Sequence, residues 1–220
     1  MKNQESCMST KTNYIASPYD YHFMQQHVSK TGKDLFGRDF VIDDVDKPVI
    51  NRLLSYFLKD KRVAESEGIN LDKGILLVGP VGCGKTSILK IMSNFCASAE
   101  KPVFRACSDV VFDFNTKGYE GIEPYTRGAF WSYSSQPLVH CFDDLGSEPT
   151  GNYYGNNTNV IAEILLSRYN YFISRKMITH ITTNLNSDEL EAIYGNRIRS
   201  RMREMFNLVV YSNLSTDKRK

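Results

Sequence analysis

One octapeptide restricts what this chain can fold into more than any other stretch: Gly79-Pro80-Val81-Gly82-Cys83-Gly84-Lys85-Thr86. Two glycines with four residues between them, then Lys and a hydroxyl residue, make the phosphate-loop pattern, which has meaning only between a strand and a helix. The flanks supply both. Residues 75–78 are a short apolar strand, and from about Thr86 the residues Ile88, Leu89, Ile91, Met92 and Phe95 recur at helical spacing, so that one face can bury against a sheet. Backbone N–H groups of such a loop and the positive end of the helix dipole converge on an anion. The expected nucleotide-binding set is Gly79, Pro80, Gly82, Cys83, Gly84, Lys85, Thr86 and Ser87. Lys85 is expected to neutralise the β- and γ-phosphates, and the Thr86 hydroxyl to ligate Mg²⁺.

Composition is consistent with this and adds exclusions. At 220 residues the chain suffices for one α/β domain with a short appendage. A net charge of +2 is too small to argue for nucleic acid, so any basic surface must come from local clustering. No apolar run is long enough to span a bilayer and the N-terminus lacks the apolar core of a signal peptide, so a cytoplasmic protein without membrane contact is expected. The cysteines at 7, 83, 96, 107 and 141 lack zinc-site spacing and are expected as reduced thiols. Cys83, inside the loop, is open to oxidation in principle; a small residue that fits the turn is the simpler reading.

The N-terminal 20 residues are polar and unpatterned, and 21–35 is a weakly patterned segment around Phe23, Met24 and Val28. Residues 1–38 are therefore expected to form a tail and a partner-binding appendage or an edge cover, with 39–220 as the core domain. Phe40-Val41-Ile42 is an apolar patch ahead of a helix that starts at Asp46-Lys47-Pro48 and carries Val49, Ile50, Leu53, Leu54, Phe57 and Leu58. Val41 and Ile42 are candidates to contact a nucleotide base; core packing explains them equally well. A strand over 101–106 leads to a helix with Ser108-Asp109 as its cap. The Gly-, Tyr- and Ser-rich stretch 115–137 interleaves aromatics with Lys117 and Arg127, a pattern that suits base stacking or plain packing.

A second anchor is Leu138-Val139-His140-Cys141-Phe142-Asp143-Asp144-Leu145-Gly146. An apolar strand ending in two acids complements the phosphate loop: Asp143 is expected to hold hydrated Mg²⁺ beside Thr86, and Asp144 to orient or deprotonate the attacking water. After a polar loop at 150–158, a helix over 159–174 and a β-branched strand over 176–183 lead to Asn184, which can hydrogen-bond a γ-phosphate or the lytic water, with Thr183 as the neighbouring option. Ser187 is read as the cap of a short helix ending near Gly195. In the next helix Ile198, Met202 and Met205 form a buried stripe, with Arg197 and Arg201 on one flank and Arg199 and Arg203 on the other. These arginines can serve a neighbouring subunit's nucleotide, a solvated face or a DNA backbone.

Gly79 to Thr86, Phe142-Asp143-Asp144-Leu145-Gly146, Ile181-Thr182-Thr183-Asn184-Leu185 and Tyr194-Gly195-Asn196-Arg197-Ile198-Arg199-Ser200-Arg201-Met202-Arg203 together resemble the signature segments of the DnaC/DnaI/IstB group of AAA+ ATPases, over roughly residues 40–215. The resemblance implies an α/β P-loop NTPase (AAA+) with a Rossmann-like core, a parallel sheet flanked by helices, and no large C-terminal helical lid. It further implies ATP and Mg²⁺ as cofactors and an ATP-dependent homo-oligomer. The implied partners are single-stranded DNA and either a replicative helicase, loaded or remodelled during DNA replication, or a transposase. Arg201 matches the trans-acting finger; the C-terminal sensor arginine falls at Lys218, with Arg219 adjacent. Asp144 is one methylene shorter than the Glu common in related ATPases, which implies slow hydrolysis stimulated by assembly. A phosphotransferase acting on a small acceptor is the other class compatible with the loop, and the Asn184 and Arg201 arrangement argues against it.

Overall fold

The computed structural model describes residues 17–37, 40 and 42–218. Its centre is a five-stranded sheet in the order β2-β3-β6-β1-β7, built from β1 (Gly74–Val78), β2 (Val103–Ala106), β3 (His140–Leu145), β6 (Thr179–Thr183) and β7 (Phe206–Val210). Every neighbouring pair is parallel. A parallel sheet needs cover on both faces, so its central strands read as continuous apolar runs rather than alternating ones. In β1 the alternation is present but hidden. Ile75 and Leu77 belong to a core shared with Val28, Leu53, Ile88 and Met92, whereas Leu76 belongs to a second core with Phe142, Ile164, Ile181 and Met202.

The first core is closed by α1 (Tyr21–Phe36), α2 (Lys47–Phe57), α3 (Lys61–Ser66) and α4 (Lys85–Met92), and the second by α5 (Cys107–Lys117), the short α6 (Tyr119–Ile122), α7 (Val160–Arg175) and α8 (Ser187–Met205). The weak segment at 21–35 is a full helix. Asp20 caps it by accepting the N–H groups of His22 and Phe23, and it ends at Gly37 in the left-handed region. Its buried positions are only Val28 and Gly32, too narrow a stripe to register as a period. Tyr21, Met24 and Phe36 pack beside Val28 onto the same core as the phosphate-loop helix.

Other expectations shift. The polar stretch 150–158 is an antiparallel hairpin, β4 (Gly151–Tyr153) and β5 (Asn156–Thr158), turning at Tyr154-Gly155 with both φ positive. Asn186, not Ser187, caps α8: its side chain accepts the N–H groups of Asp188 and Glu189, and Glu189 returns a bond to the Asn186 N–H, a full capping box. α5 begins at Cys107, ahead of the expected cap at Ser108-Asp109. β7 was not foreseen; it follows Met205 with no Gly, Pro or polar turn between helix and strand. After β7 the described residues 211–218 form no helix.

Near the N-terminal ends of β3 and β6 lies a buried cationic hub. The Arg168 guanidinium, fully buried, donates to Thr179 Oγ1 (2.7 Å) and to the carbonyls of Tyr125 (3.0 Å), Leu138 (3.2 Å) and Ile178 (2.9 Å), and faces His140 Nδ1 at 3.3 Å. His180 Nδ1 accepts the Ile75 N–H at 3.1 Å. Both imidazoles are held neutral. Burial first, and the nearby cation second, pushes the His140 pKa down to about 3; burial above all, with Lys59 second, does the same for His180.

A folded-state pKa below the unfolded value means that the unfolded chain binds more protons, so stability is present above pH 6.5 and is lost as pH falls toward 3. Between pH 7 and pH 5 each histidine is expected to cost about 2 kcal/mol of folding free energy. Urea unfolding at the two pH values measures it, and His140→Gln with His180→Gln should flatten the slope; an unchanged slope in that pair would refute the assignment.

Candidate nucleotide site

The parallel order brings the C-terminal ends of β1, β6 and β3 side by side, and the three motifs meet there. The loop leaves β1 at Val78 and is pinned at its start by the Gly79 N–H donating to the Thr183 carbonyl at 3.3 Å. Gly82 and Gly84 have φ of 82° and 94°, a left-handed backbone that side-chain-bearing residues rarely adopt, and this leads the chain into α4. Lys85 is buried at 5% exposure, and its ammonium donates to the carbonyls of Gly79 and Pro80, both at 2.9 Å, and to Asn184 Oδ1. The cation thus links the phosphate loop to the residue at the end of β6. Ser87 lies half-buried in the first turn of α4.

Asp143 is the meeting point. Thr86 Oγ1 lies 2.8 and 3.0 Å from its two carboxylate oxygens, and Thr182 Oγ1 donates to it at 2.6 Å. Thr182 in turn accepts the Asp144 N–H at 2.9 Å, so this fully buried hydroxyl ties both acids to β6. The pairing register of β3 and β6 breaks between Phe142 and Leu145, and Asp144 takes φ 55° and is exposed to solvent. Ser147 fixes that turn through its N–H and hydroxyl, both bonded to the Asp144 carbonyl. Thr183 is committed elsewhere: its hydroxyl donates to the Leu145 carbonyl and accepts the Leu185 N–H, leaving Asn184 as the exposed polar group at the strand end. A hydroxyl and a carboxylate at this spacing are hard oxygen donors, and with phosphate oxygens and water they fit Mg²⁺.

The remaining expected residues fall in three places. Ile42 is half-buried against the core that contains Cys83, while Val41, Arg219 and residues 1–16 lie outside the described residues. Cys83 is buried, and desolvation raises its thiol pKa, so it is a packing residue rather than a reactive one. In the stretch 115–137, packing uses much of the aromatic content: Tyr125 is buried and bonded to Asp113, and Phe130 meets Tyr171 edge-on. Arg127 pairs with Glu123, while Tyr119 and Tyr133 stay exposed.

Arg201 is far from the loop. It precedes Phe206, which pairs with Gly74 at the start of β1, whereas the loop leaves the other end of that strand. Its guanidinium rests 4.9 Å from the Tyr169 ring centroid, and Nη1 is buried without a hydrogen-bond partner among the described residues. Arg199, by contrast, is engaged by Glu191 and Ser187. Arg197 and Arg203 are exposed.

Sequence reasoning missed the role of Thr182, hidden in a β-branched run, and, although it named Lys218, the contacts that hold the tail after β7 against the loop. The Tyr211 N–H donates to the Val78 carbonyl at 2.8 Å, the Lys218 N–H donates to the Gly82 carbonyl at 3.0 Å, and the Lys218 ammonium pairs with buried Asp46 and with Asp43. Lys218, the position of the expected C-terminal sensor, therefore lies against the phosphate loop.

No family model and no curated protein matches the chain. Among solved structures it is similar to DnaI, with 19% identity, a TM-score of 0.54, and 86% of this chain and 95% of that one covered. A protein assigned as a primosome component from Streptococcus pyogenes serotype M3 matches with 17% identity and a TM-score of 0.52, over 79% of this chain and 83% of that one. The DnaC helicase loader matches with 21% identity and a TM-score of 0.47, over 73% and 99%. The chain thus shares its fold, a parallel sheet flanked by helices, with DnaI.

Thr182→Val conserves shape but removes the hydroxyl that orients Asp143. In fluorescent-nucleotide titrations it should weaken Mg²⁺-dependent affinity by about 10–100-fold and leave Mg²⁺-free binding near the wild-type value. Equal losses with and without Mg²⁺ would show that Thr182 supports the fold rather than the carboxylate.

Proposed function

We propose that this chain is an ATPase of the helicase-loader kind, which binds Mg·ATP, assembles with further copies of itself on single-stranded DNA, and loads or remodels a replicative helicase. The observation that carries the nucleotide part is the convergence of Lys85, Thr86, Asp143 and Asn184 at the ends of three adjacent parallel strands. The loop's N–H groups would hold the phosphates, with Lys85 moving from the carbonyls of Gly79 and Pro80 to phosphate oxygens. Thr86 and Asp143 would hold Mg²⁺, which when bound supplies charge neutralisation at the phosphates. Asp144, anchored through its N–H and carbonyl but free to reach from its turn, would orient or deprotonate water, and Asn184 would contact the γ-phosphate or that water.

The assembly part rests on Arg201. Its place at the opposite end of the sheet excludes it from its own site, and its stacked, incompletely bonded guanidinium suits an anion brought by another copy. The helicase part rests on the sequence resemblance and on the fold shared with DnaI and the primosome component. No observation favours the transposase-helper alternative over it. Among the described residues no helix is long and apolar enough to cross a membrane.

ATP hydrolysis and sedimentation, with and without single-stranded DNA, test the proposal. Arg201→Ala should bind ATP like the wild type yet turn over on the order of 10³-fold more slowly. Adding Lys85→Ala protomers, which keep Arg201, should restore part of the activity. If wild type and Arg201→Ala stay monomeric and turn over alike, the assembly reading is wrong and a small phosphoryl acceptor becomes the substrate to seek.

A further inference from the structure

Asp144 and the arginines stand on different elements, and one carboxylate joins those elements. Glu148 is half-buried. Its Oε2 accepts the Gly146 N–H at 2.7 Å, in the turn that carries Asp144, and its Oε1 accepts the Tyr194 hydroxyl in α8. Tyr194 is buried, and its ionisation is pushed far above the ordinary tyrosine value by burial first and the Glu148 bond second, so it remains a donor.

The residue after Tyr194 divides the helix. Gly195 has φ 81° and ψ 160°, a conformation accessible essentially to glycine alone. Nothing lies within 4 Å of where a Cβ would sit, so the backbone, not space, demands glycine there. α8 is thus two rods. The first is capped by Asn186 and tied through Tyr194 to Glu148; the second carries Arg197, Arg199, Arg201 and Arg203 and is packed by Ile198, Met202 and Met205. Arg199 clasps the bend by reaching back to Glu191 and Ser187, so a displacement of the first rod passes to the second instead of being absorbed at the joint.

We infer that Glu148 and Tyr194 are positioning residues that couple the Asp144 turn of the phosphate site to the arginine-bearing half of α8, so that the nucleotide held by one protomer sets the placement of the Arg201 it offers to the next. This rests on the nucleotide-dependent assembly proposed above. Every link is a contact between packed groups: the turn at Gly146, Glu148, Tyr194, the clasped bend, and Arg201 on Tyr169. Such a chain transmits only if it joins elements with alternative arrangements; with the bend clasped, the element required to have one is the whole of α8, displaced together with the Glu148 turn.

Amide hydrogen exchange of the full chain, with and without a non-hydrolysable Mg·ATP analogue, tests the coupling separately from turnover. In the wild type, nucleotide should slow exchange by at least about five-fold both at residues 144–148 and at residues 196–205. Tyr194→Phe, which removes the bond, should keep the analogue's Kd and the response at 144–148 but lose the response at 196–205. Glu148→Gln, which still accepts the Gly146 N–H and can bond the phenol, should keep both responses.

A Tyr194→Phe protein with the full response at 196–205 overturns the inference. So does a joint loss of affinity and both responses in the two variants, which is what a merely structural role produces, and so does a wild type that binds nucleotide without responding at 196–205. Normal turnover in Arg201→Ala with the coupling present would instead remove the trans-arginine reading and leave the coupling standing.

Discussion

The Asp143 carboxylate holds this site together. It receives hydroxyls from Thr86, which opens the helix after the phosphate loop, and from Thr182, which lies in the strand between that loop and Asp143's own strand. Residues far apart in sequence therefore share one acceptor, and the shared acceptor works only because β1, β6 and β3 run parallel and end at the same level. A one-residue slip in either pairing would turn the partner hydroxyl to the opposite face of the sheet. The break in register after Phe142 is part of the same arrangement: it lets Asp143 point at Thr86 while Asp144 rotates into a left-handed conformation and faces solvent. Two adjacent acids thus acquire different surroundings without any difference in residue type.

What was legible in the sequence follows from how local its cause is. The glycines of the phosphate loop, the apolar strands and the buried stripe Ile198, Met202, Met205 are set by backbone conformation and period, which a single segment reveals. The break at Gly195 was legible for the same reason. β7 was not, because Phe206 to Val210 exists as a strand only by pairing with β1, more than a hundred residues earlier. The hairpin at 151–158 has almost no apolar content of its own and rests on α5, where the Asn152 N–H bonds Asn115 and Gly151 packs on Phe114. Asn186 displaced Ser187 as the cap through the reciprocal bond with Glu189, a choice between two good capping residues that only the backbone decides. Thr182 lies within a signature segment, but neither its role nor that of Glu148 is visible there: both come from the groups that tertiary structure places opposite them.

The sheet also has a chemical polarity. Its C-terminal end presents backbone N–H groups, Lys85, Asn184 and the two acids; its N-terminal end holds the Arg168 hub and, stacked on the neighbouring Tyr169, the Arg201 guanidinium of α8. Five residues of β1 separate the two ends, about 16 Å at the rise of a strand, too far for an arginine at one end to neutralise charge at the other. The buried cation at the N-terminal end is satisfied internally: Arg168 gives its protons to carbonyls and a hydroxyl, and spends none on solvent or ligand. Arg201 differs. It is placed by a ring and by the packed stripe beside it, and one of its nitrogens is left buried without a partner, which costs free energy in the isolated chain. On the proposed reading it is the other nitrogens of this guanidinium that would meet the phosphate end of another copy. Head-to-tail contact of this kind is heterologous, so it generates a ring or a filament rather than a two-fold dimer.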